Sequence, residues 1–443
     1  MASAKKEAAL TPEERLQAAL VPDWEWPYKL PENWCWTTIK NVATVVTGGT
    51  PAKNNSDYYG GEFPFFKPAD LDAGRHVSEA SEYLSDLGKS VSRIIPAQAT
   101  AVCCIGSIGK CGFLDVEGAT NQQINSAIPY FNALYQYFYM NTEFFTNQLR
   151  NSASATTIAI VNKTKMESCY YPLAPLAEQQ RIVDRIESLF AKLDEAKEKT
   201  QTVVDSFETR KSAILHKAFT GELTAKWREE HGVSIDNWKT TRFDSVAAIR
   251  SNLVDPAEYQ SFPHIAPDNI EKKTGVLLEY HTIAEDGVTS GKHRFYSGQI
   301  LYSKIRPYLS KAVVVDFDGL CSADMYPIEA YQNARCLWYY MLSDEFLLQA
   351  STAGSRSVLP KINQKELSAL TVHLPTNDRE QEEIARILDE LFDKEQQTKE
   401  AAEVVLDQID LMKKSILARA FRGELGTNDP SEESAVELLK QIF

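Results

Sequence analysis

Nineteen prolines are scattered along the 443 residues, yet no two are adjacent. That absence removes the Asn/Asp-Pro-Pro-aromatic loop with which adenine methyltransferases grip a flipped base. Seven cysteines include no Cys-x-x-Cys pair, and seven histidines form no His-Glu-x-x-His, so zinc-type ligand spacing is missing. Cys103, Cys104 and Cys111 fall in strand- and turn-like sequence and read as reduced, buried thiols. No apolar run approaches the ~20 residues of a membrane span. The start, MASAKKEAAL, has no signal-peptide core, so no membrane and a cytoplasmic location are expected.

A basic surplus is also lacking: 47 Lys and Arg face 61 Asp and Glu, for a net charge of −14. A strong autonomous nucleic-acid binder is therefore not expected. The acidity is uneven, however. Residues 21–171 carry 11 basic and 14 acidic side chains, residues 232–376 carry 14 and 16, and residues 377–443 carry 9 and 17. Two nearly neutral segments leave room for a locally basic face.

What is present is a repeat. Glu178–Leu223 returns as Glu380–Leu425 with a constant shift of 202 positions, and the copies end in AFTGEL (Ala218–Leu223) and AFRGEL (Ala420–Leu425). In the first copy, Ile182, Ile186, Leu189, Leu193, Ala196, Val203, Phe207 and Ile214 follow 4-3 spacing. In the second, Ile384, Leu388, Leu391, Ala402, Val405, Ile409, Met412 and Ile416 do the same. Each copy is read as one long coiled-coil helix of about 60 Å, the two packing antiparallel. Glu395 and Thr398 interrupt the second seam and suggest a water-accessible middle.

The stretch before each helix is mixed α/β. Strand-like runs (Val42–Val46, Phe63–Phe66, Thr100–Ile105) alternate with Gly, Pro and Asn clusters, and one helix is expected near Leu134–Arg150. The second stretch repeats the plan. Trp34, Thr37, Val42 and Ala43 match Trp238, Thr241, Val246 and Ala247; Phe63-Pro64 and Pro68 match Phe262-Pro263 and Pro267; Ala97-Gln98 matches Gly298-Gln299; Asn162 matches Asn363. The expected parts are a capped helix in 1–20 (Thr11, Pro12, Glu14), a domain 21–172, a helix 173–231, a domain 232–376, a helix 377–425, and a tail 426–443 with a short helix. Two copies of one fold on two equal helices imply an approximate two-fold axis, and duplex DNA is the leading two-fold ligand.

At these residues the chain resembles the specificity subunit of a Type I restriction-modification system. The resemblance rests on PLAEQQRIVDRIESLFAKLDE from Pro175, both AF-x-GEL ends, TGGTP (Thr47–Pro51), IGSIGK (Ile105–Lys110), TNQQIN (Thr120–Asn125) and KIRPYLSK (Lys304–Lys311). It implies two target recognition domains in a pseudo-two-fold, circular arrangement, each reading one half of a split, asymmetric DNA site. It also implies no catalysis in this chain. Two methyltransferase subunits and restriction translocase subunits would supply it, with S-adenosylmethionine, ATP and Mg bound there and no cofactor or metal here. The second copy reads PTNDREQ (Pro375–Gln381) where the first reads PLAEQQ, so the two docking faces need not be equal. The alternatives are a diverged fused nuclease or methyltransferase, and a coiled-coil scaffold unrelated to DNA.

Decoys are weak. IGSIGK lacks the first glycine of a phosphate loop, because position 104 is Cys104. Asp268, Glu271, Lys272 and Lys273 mimic a nuclease set at too short a spacing. Candidate DNA contacts in the first domain are Thr47, Gly48, Gly49, Lys53, Asn54 and Asn55, which could equally form a plain surface turn, with Ser107, Lys110, Gln122 and Gln123. Asn121, Gln122, Gln123 and Asn125 could instead hold the scaffold together. In the second domain the candidates are Arg250, Asn252, Lys292, His293, Arg294, Lys304, Arg306 and Lys311, against ordinary solvated surface. Partner docking is assigned to the repeat ends: Phe219, Gly221, Glu222 and Leu223, and Phe421, Gly423, Glu424 and Leu425, with the glycines as helix caps and the glutamates exposed.

Overall fold

A computed structural model describes residues 11–154, 159–353 and 360–443. The chain divides into two compact units, residues 1–199 with 405–443 and residues 200–404.

In the first unit, Thr11 caps the helix Pro12–Ala19 through a capping box with Glu14, as its sequence requires. Cys35–Thr38 pairs antiparallel with Tyr170–Leu173 at the base of the domain. A four-stranded antiparallel sheet follows in the order Ala43–Thr47, Ile124–Pro129, Thr100–Cys103, Cys111–Phe113. A smaller sheet joins Glu82–Leu84, Tyr59–Phe66 and Ala119–Thr120. The helix expected near Leu134–Arg150 is two helices, Ala133–Met140 and Glu143–Ser152, broken where Thr142 caps the second. The core gathers Trp36, Tyr135, Tyr139, Ile182, Ile186, Leu417, Phe421, Ala435 and Leu439, so residues from far apart in sequence close one interior.

The second unit repeats this order. Trp238–Arg242 pairs with Thr371–Pro375. The four-stranded sheet runs Ala247–Ile249, Met325–Ala330, Ile300–Ser303, Ala312–Val314. A second sheet of five strands is centred on Gly319–Cys321. Equivalent backbone bonds confirm the repeat residue by residue: Val42 N donates to Ile39 O as Val246 N donates to Phe243 O, and Asn162 and Asn363 both cap short helices. One expected match shifts by a position. Gln98 and Gly298, both with positive φ, donate to Leu114 O and Val315 O, so Gln98 corresponds to Gly298 and Ala99 to Gln299.

The repeated helices differ. The second is continuous over the 43 residues Asp378–Ala420, whereas the first is Leu176–Asp205 followed by Phe207–Phe219. At the break, Thr202 O accepts from both Ser206 N and Ser206 Oγ, and Arg210 Nη1 donates to Val203 O, so side chains compete with the helical ladder for these carbonyls. Within each unit the two helices pack antiparallel. Lys197 pairs with Asp410 at 2.7 Å and Lys413 with Asp194 in the first unit, and Arg210 pairs with Glu395 at 2.7 Å in the second. Glu395 thus fills the seam position with an ion pair. The expected seam is also partly wrong near its end: Val405 and Met412 are exposed, while Ile416 is half-buried against the first core beside the buried Leu417.

Candidate nucleic-acid interface

The EQ pair that opens each repeat anchors a domain to its helix. Gln179 Oε1 accepts from Asn132 N at 3.2 Å while its Nε2 donates to Ala174 O at 2.8 Å. Gln381 does the same with Asn333 N at 3.2 Å and Pro375 O at 2.7 Å. Asn132 and Asn333 are the N-caps of the aromatic helices Ala133–Met140 and Ala334–Met341. Beside them, Glu178 and Glu380 are fully buried. Glu178 accepts from Thr427 Oγ1 and Arg181 Nη2, both at 2.7 Å. Glu380 accepts from Arg228 Nη1 at 2.7 Å, Thr224 Oγ1 at 2.8 Å, and Asn237 Nδ2 and Trp238 Nε1 at 3.0 Å.

The repeat ends complete the same interiors. Phe421 lies edge-on to Tyr135 and Tyr139 at 5.0 and 5.3 Å, and Phe219 to Tyr340 at 5.0 Å. Phe219 and Phe421 were expected to offer docking surface, but both are buried, because the aromatic helices already occupy them. Gly221 is buried and Gly423 half-buried against Pro31, both with positive φ after the last helical turn. Leu223 and Leu425 are half-buried against the two cores, while Glu222 and Glu424 are exposed.

In the first domain the structure brings the Thr47–Asn55 turn and the TNQQIN segment together. Gly48 N donates to Ile124 O and Gly49 N to Thr120 O, at 2.9 and 2.8 Å. A Cβ at Gly48 would lie 2.2 Å from Asn121 O, so a side chain has no room there. Thr50 Oγ1 donates to Gln122 Oε1, and Arg93, which the sequence did not single out, donates to Thr47 O at 2.6 Å. Asn55 caps a turn by accepting from Asp57 N. Asn121 Oδ1 accepts from Gln123 N and Asn121 Nδ2 donates to Gln123 Oε1, so that part of TNQQIN serves the scaffold. Lys53, Asn54 and Gln122 remain on the surface. Ser107 and Lys110 lie instead in a separate cleft with Asn147, Arg150 and Lys414, where Lys110 pairs with Asp72 at 2.6 Å.

The basic window of the second domain is mostly turned inward. Lys292 and His293 are buried; Lys292 Nζ donates to Ser290 Oγ at 2.7 Å. Burial lowers the pKa of both, and Lys304 lowers that of His293 further. Lys304 Nζ donates to Ala323 O, and Lys311 Nζ to Pro267 O at 2.6 Å. Arg294 sits among Tyr259, Phe262 and Tyr296, with ring centroids at 5.4, 5.9 and 4.9 Å. These side chains satisfy carbonyls and rings of their own domain and are not free cations. Arg250 pairs with Glu329 at 2.8 Å and stays exposed, as does Asn252. Arg306 is exposed, with Tyr308, another residue the sequence reading passed over, beside it.

Two copies of one scaffold, fixed to repeated helices by the same buried contacts and differing at their exposed loops, define a duplicated recognition protein. The sequence profile described as Type I restriction modification DNA specificity domain matches residues 31–204 and again 235–405. The Type I restriction enzyme EcoDI specificity subunit of Escherichia coli is 34% identical over 94% of this chain and 95% of its own length. The EcoKI specificity subunit of Escherichia coli strain K12 is 23% identical over 94% and 96%. Among solved structures, the HsdS subunit from Thermoanaerobacter tengcongensis shares the fold, with a TM-score of 0.59 and 18% identity over 90% of this chain and all of that one. A chain from a study of complex assembly and conformational transition of the type I R-M system gives a TM-score of 0.69, also at 18% identity and over the same shares. This chain belongs to the type I restriction-modification specificity subunit family. Members are recognition subunits without catalytic activity, and the chemistry of such systems lies with partner subunits.

Proposed function

We propose that this chain reads a bipartite, asymmetric duplex site, one half with each domain, inside a complex with two methyltransferase subunits and restriction subunits. The single observation that carries this reading is the contrast between a shared scaffold and unlike loops. The Asn121 turn is repeated by Ser322, whose Oγ accepts from Asp324 N, yet Gln122 is replaced at its tip by Ala323. Identical framework with different exposed chemistry is what two readers of different sequences need. With net charge −14, the phosphate attraction must come largely from partners, which would also hold S-adenosylmethionine, ATP and Mg. The complex would work in the cytoplasm, where host DNA is.

A hybrid chain tests this. Residues 232–376 are exchanged for those of a relative, and adenine methylation is mapped with the native partner subunits. One half-site should change and the other persist; a hybrid that alters both halves, or neither, would overturn the assignment of one half per domain. The isolated chain should transfer no methyl group from labelled S-adenosylmethionine to DNA.

A further inference from the structure

Two backbone positions of the second unit hold a conformation that the first unit gives to glycine. The hairpin between Ile300–Ser303 and Ala312–Val314 passes through Arg306 at φ +48° and Ser310 at φ +45°. The equivalent hairpin, between Thr100–Cys103 and Cys111–Phe113, has Gly106 at φ +79° and Gly109 at φ +89°. Shared bonds fix the equivalence. Cys103 N donates to Lys110 O as Ser303 N donates to Lys311 O, and the side chains of Cys103 and Ser303 donate to Ile105 O and Ile305 O at 3.2 and 3.1 Å. A Cβ on left-handed backbone crowds the following carbonyl, so such residues persist where surrounding structure over-determines them.

The surroundings are explicit. Pro307 and Ser310 are buried, and Arg306 N donates to Pro360 O at 2.8 Å. Leu309 O accepts from Lys273 N at 3.0 Å, and Lys273 is itself left-handed at φ +63°. The carbonyl of Lys273 accepts from Lys211 Nζ at 2.6 Å. Lys211 projects from the spacer helix Phe207–Phe219, is buried, and lies over the ring of Phe392 at 5.6 Å. A line of hydrogen bonds therefore runs from the spacer helix to the turn.

The strained turn delivers one side chain to the surface. Arg306 is exposed and its guanidinium makes no hydrogen bond or ion pair among the described residues, while the other cations between Lys292 and Lys311 are engaged. Tyr308 beside it is exposed as well. We propose that Arg306 is a specificity-determining residue of the second domain, reading the major-groove edge of a guanine from a turn that Lys211 braces. The planar guanidinium fork matches O6 and N7 of guanine, which a lysine cannot match with two parallel bonds. Lys211 is a positioning residue. The inference rests on the function proposed above.

The test uses the chain co-expressed with its methyltransferase subunits, acting on duplexes randomised at both half-sites, with methylated adenines sequenced. Wild-type chain must first return a bipartite consensus; without one, the function reading itself fails before any variant is compared. Arg306→Gly restores the sibling's residue, so it should melt no lower than wild type. It should lower discrimination at one base pair of one half-site about tenfold or more, leaving the other half-site intact. Arg306→Lys should lose the same discrimination while keeping the salt dependence of binding. Lys211→Met should weaken discrimination at that same base pair. An unchanged consensus in Arg306→Gly, an equal loss for every sequence, or full rescue by Arg306→Lys overturns base reading; a Lys211→Met effect on both half-sites overturns the brace.

Discussion

The indole N–H of Trp238 donates to the carboxylate of Glu380 across 3.0 Å, tying the first strand of the second domain to the first turn of its spacer helix. Burial pushes the Glu380 pKa up, but bonds from Asn237, Arg228, Thr224 and Trp238 outweigh it and hold the carboxyl below its ordinary value. At Glu178 burial outweighs Thr427 and Arg181, and the pKa is raised. The two equivalent carboxylates therefore respond oppositely to acid. As pH falls through the depressed pKa of Glu380, the second unit loses stability; as it falls through the raised pKa of Glu178, the first unit gains. Hydrogen exchange of Trp238–Arg242 and Cys35–Thr38 across the carboxylate range should diverge in those directions. Glu380→Gln leaves the nearly buried Arg228 without its counter-charge and should cost about 3–5 kcal/mol. Parallel pH profiles in the two strands would contradict this.

Gly48 and Gly49 are adjacent but not alike. A methyl at Gly48 meets backbone oxygens of Asn121 and Thr120 at 2.2 and 2.3 Å, whereas one at Gly49 meets nothing within 4 Å. Gly48→Ala should destabilise by roughly 1–3 kcal/mol and blur one half-site in methylation mapping. Gly49→Ala should leave melting temperature and consensus unchanged.

Lys211 gives the second unit an alkaline signature. Burial lowers its pKa to about 8, opposed in part by Glu208 and Glu271. Between that value and the ordinary 10.5 the unfolded chain binds more protons than the folded one, so stability should rise with pH across this window. A gain on the order of 2 kcal/mol is expected, at up to ~1.4 kcal/mol per pH unit. Denaturant unfolding at pH 8 and pH 10 should show it in wild type and not in Lys211→Met.

Lysines also separate by what they touch. Lys53 is exposed on the Thr47–Asn55 turn, whereas Lys304 and Lys311 donate to carbonyls of their own domain. Lys53→Ala should make the slope of log affinity against log salt shallower by about 0.9, as for one lost phosphate contact. Lys304→Met and Lys311→Met should lower melting temperature and leave that slope unchanged. A titration of the assembled complex on its own site, from low to moderate salt, decides between the two behaviours.

The repeat, the paired domains and the antiparallel helices were legible in the sequence because regular spacing and shared residues such as Trp34 and Trp238 announce them. The fate of individual lysines was not. Whether Lys292 or Lys311 reaches solvent depends on carbonyls that other segments bring near, and no local pattern records that. The helix break at Ser206 depends on side chains of Ser206 and Arg210 turning back on the backbone, which heptad counting ignores. One signal was available and unused: IGSIGK places glycines where KIRPYLSK has Arg306 and Ser310, and aligning the two hairpins exposes the strained pair.

The Glu–Gln pairs at the two helix starts have an evolutionary consequence. Because Gln179 and Gln381 each grip one backbone N–H and one backbone carbonyl, with Gln332 Oε1 as a further acceptor for Gln381, a foreign domain with a capped aromatic helix meets nearly the same socket. A whole domain can therefore be exchanged with its attachment chemistry carried over.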